Sequence, residues 1–531
     1  MGFIEVADLS YKLPGGRQLF GEVSFRVYSG QHAALVGANG VGKTTLLRIL
    51  AGEEKPSSGA MRVDGRVLYM PQMIGSISDQ TTVRHLLVSL APDRVIRAAR
   101  RVEATEAAVA VPHSAADDER YADALASWGD AGGYEAEVLW DVCTSRALGE
   151  GFETASARRV RELSGGEQKR VALEALFRSD ADVLLLDEPD NFLDIAWKRR
   201  LEGTLNDSPK TVLYVSHDRQ VLASTSHTVV TLEGSGAWTH PASFATYHEA
   251  RDARLGRLDN AHRRWRDEHE RLVGIMKEFK RRAALTDKFA SRAKAAETRL
   301  RRFESERPPP ALPSEQNIRM RLDGGRTARR AVAVRGLTVP GVFEPWDAEI
   351  WFGERVGVVG PNGTGKTHFL RLCADEPIAH VGDIVLGSRV VPGYFAQTHD
   401  HPELVGSSVI DVLRRRGLDR ERAMRTLRRY EMSASWDQRF ETLSGGQQAR
   451  LQILLLELGG ATMLLLDEPT DNLDVASAEA LEAALETFEG TVLAVTHDRW
   501  FMRNFDRFIV FKADGTVTEA VESEAAASSE V

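Results

Sequence analysis

The chain has 531 residues, of which 43% are hydrophobic and 27% charged, and its net charge is −9. This composition is typical of a soluble globular protein with several domains. The overall acidity argues against a protein whose whole surface binds nucleic acid, so any such contact must come from a local basic region. No run approaches the roughly 18 apolar residues that a membrane helix needs, and the N-terminus resembles no secretory signal, so we expect a cytoplasmic protein without membrane insertion. Cys143 and Cys373 are too few for a zinc or iron–sulfur site, and we expect two unpaired thiols.

The first motif in the chain is a glycine-rich loop. Alternating patterns at residues 3–9 and 23–29 predict strands of a small antiparallel sheet, and a buried run, His32–Val36, leads into GANGVGKTT and then a helical pattern. Between a strand and a helix, G-x-x-x-x-G-K-[ST] is a strong signal for nucleotide binding. Its backbone N–H groups and lysine bind phosphate oxygens, and its hydroxyl ligates Mg²⁺. The predicted ATP-binding residues of this loop are Gly37, Asn39, Gly40, Gly42, Lys43, Thr44 and Thr45.

A glutamine, a helical region and a second glycine motif follow. Gln72 comes after a predicted strand, and residues 73–162 have helical spacing with a turn around Pro112–Asp118. LSGGEQ at residues 163–168 then opens a helix, where small residues favour an anion site at the helix N-terminus. The predicted binding residues of this motif are Ser164, Gly165 and Gly166.

The first half ends its series of motifs with carboxylates and a histidine. DVLLLDEPDNFLD contains a continuous apolar run, which is typical of a central parallel strand, and this strand ends in two acids. Asp187 suits Mg²⁺ coordination and Glu188 suits polarisation of an attacking water. His217 ends the next predicted strand, where it can hold the γ-phosphate.

Residues 243–307 contain no catalytic motif but have a regular apolar spacing. Larger side chains alternate by three and four residues from Leu255 to Phe279, and again from Phe289 to Phe303. Two such helices joined by a short segment bury their apolar faces by folding back as an antiparallel hairpin. Between Arg251 and Arg307 there are 18 Lys/Arg and 10 Asp/Glu, so a basic hairpin projects from an acidic body.

The whole series of motifs recurs after a proline-rich connector. The interval from Leu163 to His217 equals that from Leu443 to His497, which indicates an internal duplication. The first half has additional residues, assigned to 91–150. The predicted ATP-binding residues of the second half are Gly360, Asn362, Gly363, Gly365, Lys366, Thr367, His368, Gln397, Ser444, Gly445 and Gly446. The predicted Mg²⁺ ligands of both halves are Thr44, Asp187, Thr367 and Asp467, and the predicted catalytic residues are Glu188, His217, Glu468 and His497.

In this order and twice over, these motifs resemble the ATPase domains of ABC proteins, across most of residues 1–240 and 325–515. This resemblance implies that Gln72 and Gln397 also ligate Mg²⁺. Two such domains joined by a charged hairpin are similar to the ABC-F family. The resemblance implies ATP hydrolysis to ADP and phosphate, and binding to ribosomes near the tRNA exit site. It also implies that the linker reaches ribosomal RNA and P-site tRNA near the peptidyl-transferase region. Some members tune translation and others dislodge antibiotics, and the sequence leaves both roles open.

The resemblance also implies how the two domains are arranged. ABC domains of this kind pair head to tail, so each ATP lies between one phosphate loop and the opposite LSGG motif. We call the site with the first phosphate loop site one and the site with the second phosphate loop site two. We expect this pairing within a monomer. Tyr11 is a candidate for stacking on adenine at site one, with an ordinary strand-end tyrosine as the alternative, and Phe343 is a weaker candidate at site two.

Several residues depart from the family's usual pattern. DEPTNHLD appears as DEPDNFLD in the first half and as DEPTDNLD in the second. His368 follows Thr367 where a small hydroxyl residue is usual, which weakens contact with the α-phosphate at site two. Both glutamates are kept, so we expect two sites that hydrolyse ATP. The other changed positions, where the two sites communicate, are Asp190, Phe192, Asp471 and Asn472.

The expected fold class is α/β, with two P-loop ATPase domains joined by a helical hairpin. The first domain is predicted over residues 1–242, the hairpin over 243–307, the connector over 308–326, the second domain over 327–519 and an acidic disordered tail over 520–531.

Two other interpretations stay open from the sequence. The first is an ATPase subunit of a transporter that works with a separate membrane protein, although such a motor has little use for a basic hairpin. The second is a hairpin that merely spaces the domains. Against it, residues 277–302 contain 10 Lys/Arg and 3 Asp/Glu, an excess that favours contact with RNA phosphate.

Overall fold

The computed structural model describes residues 2–72, 81–109, 114–233, 236–306, 308–309, 318–396, 401 and 403–520. Its helices are α1 Lys43–Leu50, α2 Val83–Ser89, α3 Asp93–Val109, α4 Ala115–Asp130, α5 Gly133–Leu148, α6 Phe152–Ala155, α7 Gly165–Arg178, α8 Ile195–Asp207, α9 Arg219–Thr225, α10 Tyr247–Ala283, α11 Ala290–Ser305, α12 Lys366–Cys373, α13 Val409–Arg415, α14 Arg420–Arg429, α15 Gly445–Gly459 and α16 Val475–Thr487. Its strands are β1 Ile4–Lys12, β2 Gln18–Val27, β3 His32–Val36, β4 Ser58–Val63, β5 Val67–Met70, β6 Val183–Asp187, β7 Thr211–Val215, β8 Thr228–Glu233, β9 Gly236–His240, β10 Arg330–Val339, β11 Phe343–Trp351, β12 Arg355–Val359, β13 Val381–Leu386, β14 Pro392–Phe395, β15 Met463–Asp467, β16 Thr491–Val495, β17 Arg507–Phe511 and β18 Val517–Ala520.

A six-stranded sheet forms the centre of each half. In the first half the strand order is β5-β6-β7-β3-β8-β9, and in the second it is β14-β15-β16-β12-β17-β18. The last strand of each order is antiparallel and the others run parallel. Parallel strands bring their carboxyl ends to one edge. The phosphate loop after β3, Asp187 at the end of β6 and His217 after β7 therefore lie at the same edge.

A three-stranded antiparallel sheet packs on each six-stranded sheet. The strand orders are β2-β1-β4 and β11-β10-β13. In the first half, Phe20 and Val23 from the small sheet join Leu46 and Leu47 of α1 and Leu185 of β6 in one buried core. This packing fixes α1, and with it the phosphate loop, against the large sheet.

The helical regions of the two halves differ in size. In the first half, α2 to α6 and the start of α7 surround a core that includes Trp128 and Trp140, whose ring centroids lie 6.2 Å apart. In the second half, α13 and α14 occupy the corresponding place, packed on Tyr430 and Phe440. Each helical region ends at an LSGG motif, so it sets the position of that motif.

The predicted hairpin is formed by α10 and α11. Helix α10 has 37 residues, so it extends roughly 55 Å at 1.5 Å per residue. The two helices pack side by side: the Trp265 ring stacks on Phe303 with centroids 5.5 Å apart, and Leu272, Ala293 and Leu300 are buried between them. The alternation of three- and four-residue steps therefore identified the buried faces.

The two halves pack against each other through equivalent helices. Ile195 at the start of α8 is buried in the core of the second half, and Val475 at the start of α16 packs on the core of the first. Because each helix contributes the same position, the halves are related by an approximate twofold axis.

The structure confirms the predicted fold class: two α/β units, each with a parallel-sheet core and a smaller antiparallel sheet, joined by a helical hairpin. Among the helices that the structure describes, none combines the length and the apolar character required to cross a bilayer.

Candidate functional site between the two halves

The phosphate loop of site one surrounds its own lysine. Lys43 Nζ donates to the carbonyl of Gly37 at 2.7 Å and to that of Ala38 at 3.3 Å. Gly42, at φ 106°, precedes α1, and a Cβ there would lie 2.8 Å from the ring of Phe20. Glycine is therefore required at this position by both conformation and space. Burial lowers the pKa of Lys43, although three nearby carboxylates oppose this effect.

Glu188 is held from several sides at site one. Gln72 Nε2 donates to its Oε2 at 2.6 Å, and Asn191 Nδ2 donates to the same oxygen at 3.1 Å. His217 Nε2 lies 3.5 Å from Oε1. The predicted glutamine, glutamate and histidine of the first half are thus brought together around one carboxylate.

The surroundings of Glu188 favour its ionised form. Burial works to raise the pKa of Glu188, but the hydrogen bond and charge of His217, with the charges of Lys43 and Lys169, lower it below its usual value. Lys169 lies beneath the strand end, where Nζ donates to the carbonyls of Asp187 at 3.2 Å and Glu188 at 2.9 Å. Burial lowers the pKa of Lys169 to about 8. A carboxylate held ionised beside a phosphate loop can act as a general base.

Site one is completed by the second half of the chain. Its cavity, about 380 Å³, lies between the phosphate loop and the LSGG motif of the opposite half. Asn39 joins the two sides, since its N–H donates to Asp474 Oδ2 at 3.0 Å and its Nδ2 to the carbonyl of Asn472 at 3.2 Å. The first half contributes Leu13, Leu19, Asn39, Gly40, Gly42, Lys43, Thr44, Thr45, Gln72, Glu188, Val215 and His217, and the second half contributes Ser444, Gly445, Gly446 and Asn472.

Site two has the reciprocal construction and a cavity of the same size, about 380 Å³. Lys366 Nζ donates to the carbonyls of Gly360 and Pro361, both at 2.8 Å. Across the interface, Asn362 Nδ2 donates to the carbonyl of Phe192 at 3.4 Å. The cavity is lined by Asn362, Gly363, Gly365, Lys366, Thr367, His368, Asp467, Glu468, Asp471, Val495 and His497 of the second half, and by Ser164, Gly165, Gly166, Phe192 and Leu193 of the first.

The charge state of the glutamate differs at site two. Glu468 accepts the backbone N–H of His497 at 3.0 Å, and its Oε1 lies 3.4 Å from His497 Nε2. Burial, followed by the charge of Asp471, raises the pKa of Glu468 well above its usual value. Burial also lowers the pKa of His497 well below its usual value, and Lys366 and Lys198 act in the same direction. Site two therefore favours the neutral forms of both groups.

The residues at the strand ends fit a divalent cation. Both carboxylate oxygens of Asp187 and Oδ1 of Asp467 are buried, and they accept no hydrogen bond from the residues that the structure describes. Burial raises the pKa of both groups, while the neighbouring hydroxyls of Thr44 and Thr367 oppose the rise. Carboxylate and hydroxyl oxygens are the ligands that Mg²⁺ prefers in proteins.

Three predicted positions lie elsewhere or outside the described chain. The structure does not bring Tyr11 to site one: its ring stacks on Phe20, with centroids 6.1 Å apart, and Leu13 and Leu19 line the cavity instead. Phe343 is buried against Phe511 and does not line site two. Gln397 lies outside the described residues.

Two buried lysines of the first half were missed by motif reading. Lys169 lies on the buried face of α7, together with Gly166 and Leu176. Lys198 lies on the buried face of α8. A lysine on the apolar face of an amphipathic helix is the signal that would have identified them. Their counterparts in the second half, by position after each motif, are Ala449 and Ala478.

Comparison with known proteins agrees with this geometry. The model of the ABC transporter family matches residues 20–191 and 343–471. An "Antibiotic resistance protein" of Mycobacteroides abscessus is 50% identical over 548 residues, covering 98% of this chain and 99% of that protein. The tylosin resistance ATP-binding protein TlrC of Streptomyces fradiae is 32% identical over 538 residues, covering 95% of this chain and 96% of its own length.

A solved structure supports the fold. The archaeal ribosome recycling factor aABCE1, in complex with the stalk protein aP1, superposes with a TM-score of 0.58 at 20% identity, covering 98% of this chain and 91% of that one.

Two P-loop units that complete each other's sites define a tandem ATPase of the ABC class. With an interdomain hairpin and full-length relatives of the same organisation, the chain belongs to the ABC-F family of ATPases.

Proposed function

We propose that this chain is an ATP-gated ribosome-binding factor of the cytoplasm that protects ribosomes from an antibiotic. The observation that carries the proposal is the basic hairpin, α10 and α11, inserted between two ATPase units that close on each other. Its tip is the surface that contacts ribosomal RNA and P-site tRNA near the peptidyl-transferase region.

The two composite sites supply the gate. In each, the phosphate loop and the opposite LSGG motif bind one ATP, so nucleotide binding holds the halves together. Glu188 and Glu468 act on the attacking water, with His217 and His497 at the γ-phosphate. Asp187 and Thr44 at one site, and Asp467 and Thr367 at the other, would hold Mg²⁺, which would supply positive charge to the phosphate oxygens when bound. Hydrolysis removes the bridging phosphate and lets the halves separate.

The base of the hairpin is placed to follow this motion. Tyr247 at the start of α10 is buried, and its hydroxyl accepts a hydrogen bond from Thr231 of β8 at 3.0 Å. Arg254 forms an ion pair with Glu233 at 2.9 Å, which fixes α10 to the first half. His248 Nε2 lies 3.6 Å from Glu479 of α16 in the second half. Because α10 contacts both halves, their separation alters the environment of its base.

The tip of the hairpin has the charge and exposure that RNA requires. Lys288, Arg292 and Lys294 are exposed, and Leu285 is 83% exposed. Arg282 and Arg292 each lie over the ring of Phe289, at 5.9 and 5.8 Å from its centroid. A cluster of exposed cations around an aromatic ring is suited to phosphate and base contacts. Its affinity should fall steeply with salt.

The protective role is favoured by the relatives. A protein that is 50% identical over almost its whole length is named for antibiotic resistance, and a second relative is named for resistance to tylosin. The helical hairpin is the part that distinguishes this organisation from an ATPase subunit of a membrane transporter.

The proposal is tested by sedimentation with ribosomes. Glu188→Gln/Glu468→Gln should bind ATP without hydrolysing it, and it should pellet with ribosomes when ATP is present. Lys43→Ala/Lys366→Ala is the matched control, since it keeps the hairpin but weakens nucleotide binding, and it should stay in the supernatant. A glutamine variant that binds ATP normally yet stays in the supernatant contradicts the proposed ribosome binding.

A second measurement tests the protective role. Expression of the wild-type chain should raise the inhibitory concentration of a ribosome-targeting antibiotic, and Glu188→Gln/Glu468→Gln should abolish this effect. If the wild-type chain pellets with ribosomes but protects against none of the major classes of such antibiotics, ribosome binding stands and protection is wrong.

A further inference from the structure

Lys198 lies where the two halves meet, and it belongs to none of the nucleotide motifs. Its side chain is 6% exposed, and Nζ forms an ion pair with Asp218 Oδ2 at 3.0 Å in its own half. The same Nζ donates to the backbone carbonyl of His497 at 3.2 Å in the other half. One ammonium group therefore joins the residue after His217 to the histidine of site two.

The surroundings keep Lys198 charged. Burial works to lower the pKa of Lys198, but Asp218, Asp471, Asp190 and Asp498 together raise it above its usual value. These carboxylates come from both halves and lie close to the approximate twofold axis. A buried ammonium among them is held by charge as well as by its hydrogen bonds.

The position of Lys198 breaks the symmetry of the interface. Its counterpart is Ala478, because each residue lies four positions after the capping aspartate of its helix, Asp194 or Asp474. Other interface pairs keep the symmetry: Arg219 of the first half pairs with Glu482, and Arg499 of the second half pairs with Glu202. Because Ala478 has no amino group to donate to the carbonyl of His217, this support is found at site two alone among the residues that the structure describes.

Lys198 acts on His497 from a fixed support. Asp218 does not depend on Lys198 for its own position, since its carboxylate also accepts the N–H groups of Gln220 at 2.9 Å and Val221 at 3.0 Å at the start of α9. Lys198 therefore links the backbone of His497, across the interface, to a carboxylate that the start of α9 already holds in place.

The backbone of His497 in turn holds the glutamate of site two. The backbone N–H of His497 donates to Glu468 Oε2 at 3.0 Å, and the side-chain Nε2 of His497 lies 3.4 Å from Glu468 Oε1. From this geometry we propose that Lys198 is a positioning residue for hydrolysis at site two, acting from the opposite half through the backbone of His497. Its loss lowers turnover at site two and leaves ATP binding and site one nearly unchanged. This inference rests on the assignment of both glutamates as hydrolytic residues under the proposed function.

The test compares Lys198→Met/Asp471→Asn with Asp471→Asn alone. The second substitution gives the double variant the same net charge in the buried cluster as the wild type, Asp471→Asn alone shows what that substitution does by itself, and methionine has nearly the shape of lysine. Both variants are measured in two backgrounds: in Glu188→Gln, where only site two hydrolyses ATP, and in Glu468→Gln, where only site one does. We expect kcat of site two to fall at least tenfold with KM for ATP within threefold, and kcat of site one to change less than twofold.

Three results overturn the inference: equal losses at both sites, no loss at site two, or a loss that appears in KM and not in kcat. Equal losses would make Lys198 a structural residue of the interface. Should the methionine variant fail to fold, Lys198→Gln/Asp471→Asn carries the same comparison, because its shorter neutral side chain cannot join Asp218 to His497. The same result is expected: a fall in kcat at site two, with site one nearly unchanged.

Failure of the proposed function is separately visible. If Glu188→Gln/Glu468→Gln keeps its turnover, the assignment of the glutamates is wrong whatever Lys198 does. If that variant is inactive but the site-resolved effects are equal, only the role of Lys198 is wrong.

Discussion

The two ATP sites contain the same motifs and similar cavities, yet they differ in charge. Glu188 at site one is surrounded by cations and holds its pKa below the usual value, whereas Glu468 at site two is buried beside Asp471 and has a raised pKa. Lys169 lies beneath Glu188, and its counterpart beneath Glu468 is Ala449. A duplicated motif therefore does not ensure duplicated chemistry, because residues that differ between the halves, Asp471 within its motif and Lys169 just after one, act on the protonation of the two glutamates.

Removal of each glutamate in turn should change ATP turnover more than any other substitution. Loss of a general base lowers turnover at its own site by about a hundredfold, so Glu188→Gln should leave at most about a fifth of total turnover, and Glu468→Gln at least about four fifths. Steady-state phosphate release at neutral pH measures both. ATP binding should be unchanged in either variant, which serves as the control. Equal losses would show that the difference in charge has no consequence for hydrolysis.

The second prediction concerns Lys169. Lys169→Met removes a cation that favours ionised Glu188, so turnover at site one, measured in Glu468→Gln, should change little at neutral pH and fall by up to about tenfold on the acidic limb of the pH–rate profile. Because the pKa of Glu188 rises, the acidic limb of the pH–rate profile should move to higher pH. The same substitution in Glu188→Gln is the control and should leave site two unaffected. A lower rate without a shift of the acidic limb would assign Lys169 a purely structural role.

The third prediction compares the tip and the base of the hairpin. Changing Lys288, Arg292 and Lys294 to Gln should weaken ribosome binding about tenfold at physiological salt and reduce its salt dependence, because up to about three phosphate contacts are lost. The matched control changes Arg257, Arg264 and Arg266 to Gln, which are also exposed and remove the same charge. Filter binding over a salt series distinguishes the two. Equal losses would indicate attraction by the whole hairpin and not by its tip.

The smallest effect is expected for Asp471→Asn, which restores the amide usual in the family. Burial and neighbouring carboxylates raise the pKa of Asp471 to about 6. A carboxyl whose pKa is raised on folding costs stability when ionised, so its cost is full above pH 7 and falls as pH drops through about 6. Asp471→Asn should therefore be more stable than the wild type by about 1–3 kcal/mol at pH 7.5.

Thermal melts at several pH values measure this difference. The advantage of Asp471→Asn should shrink between pH 7 and pH 5, where wild-type Asp471 takes up its proton. Asp190→Asn is the matched variant in the first half, since the pKa of Asp190 is likewise about 6 because of burial and Asp218. An advantage that does not vary with pH would contradict the raised pKa.

The sequence predicted the fold and many of the residues that line the two cavities, because glycine loops, apolar strands and their spacing are local signals. Lys43, Ser164 and Glu188 stand where their motifs suggested. The differences between the sites could not be predicted in this way. Lys169 and Lys198 act through carbonyl groups on other elements, and those contacts exist only after the helices have packed.

The adenine contact was also beyond sequence reasoning. Tyr11 has the right chemistry for stacking, but in the fold its ring stacks on Phe20, while Leu13 and Leu19 reach the cavity. Which side chain of a strand faces a site depends on the register of its pairing, and the pairing of β1 with β2 has register shifts near Tyr11.

Each site is built from both halves, and a substitution at Gly446 can test this arrangement. A Cβ at Gly446 would meet Asn39 of the opposite half and lie 2.9 Å from the carbonyl of Asn472, so Gly446→Ala should disturb site one alone. We predict that Gly446→Ala abolishes the turnover that remains in Glu468→Gln and spares the turnover that remains in Glu188→Gln. The reverse pattern, with loss only in Glu188→Gln, would show that Gly446 serves the site of its own half and would contradict composite sites.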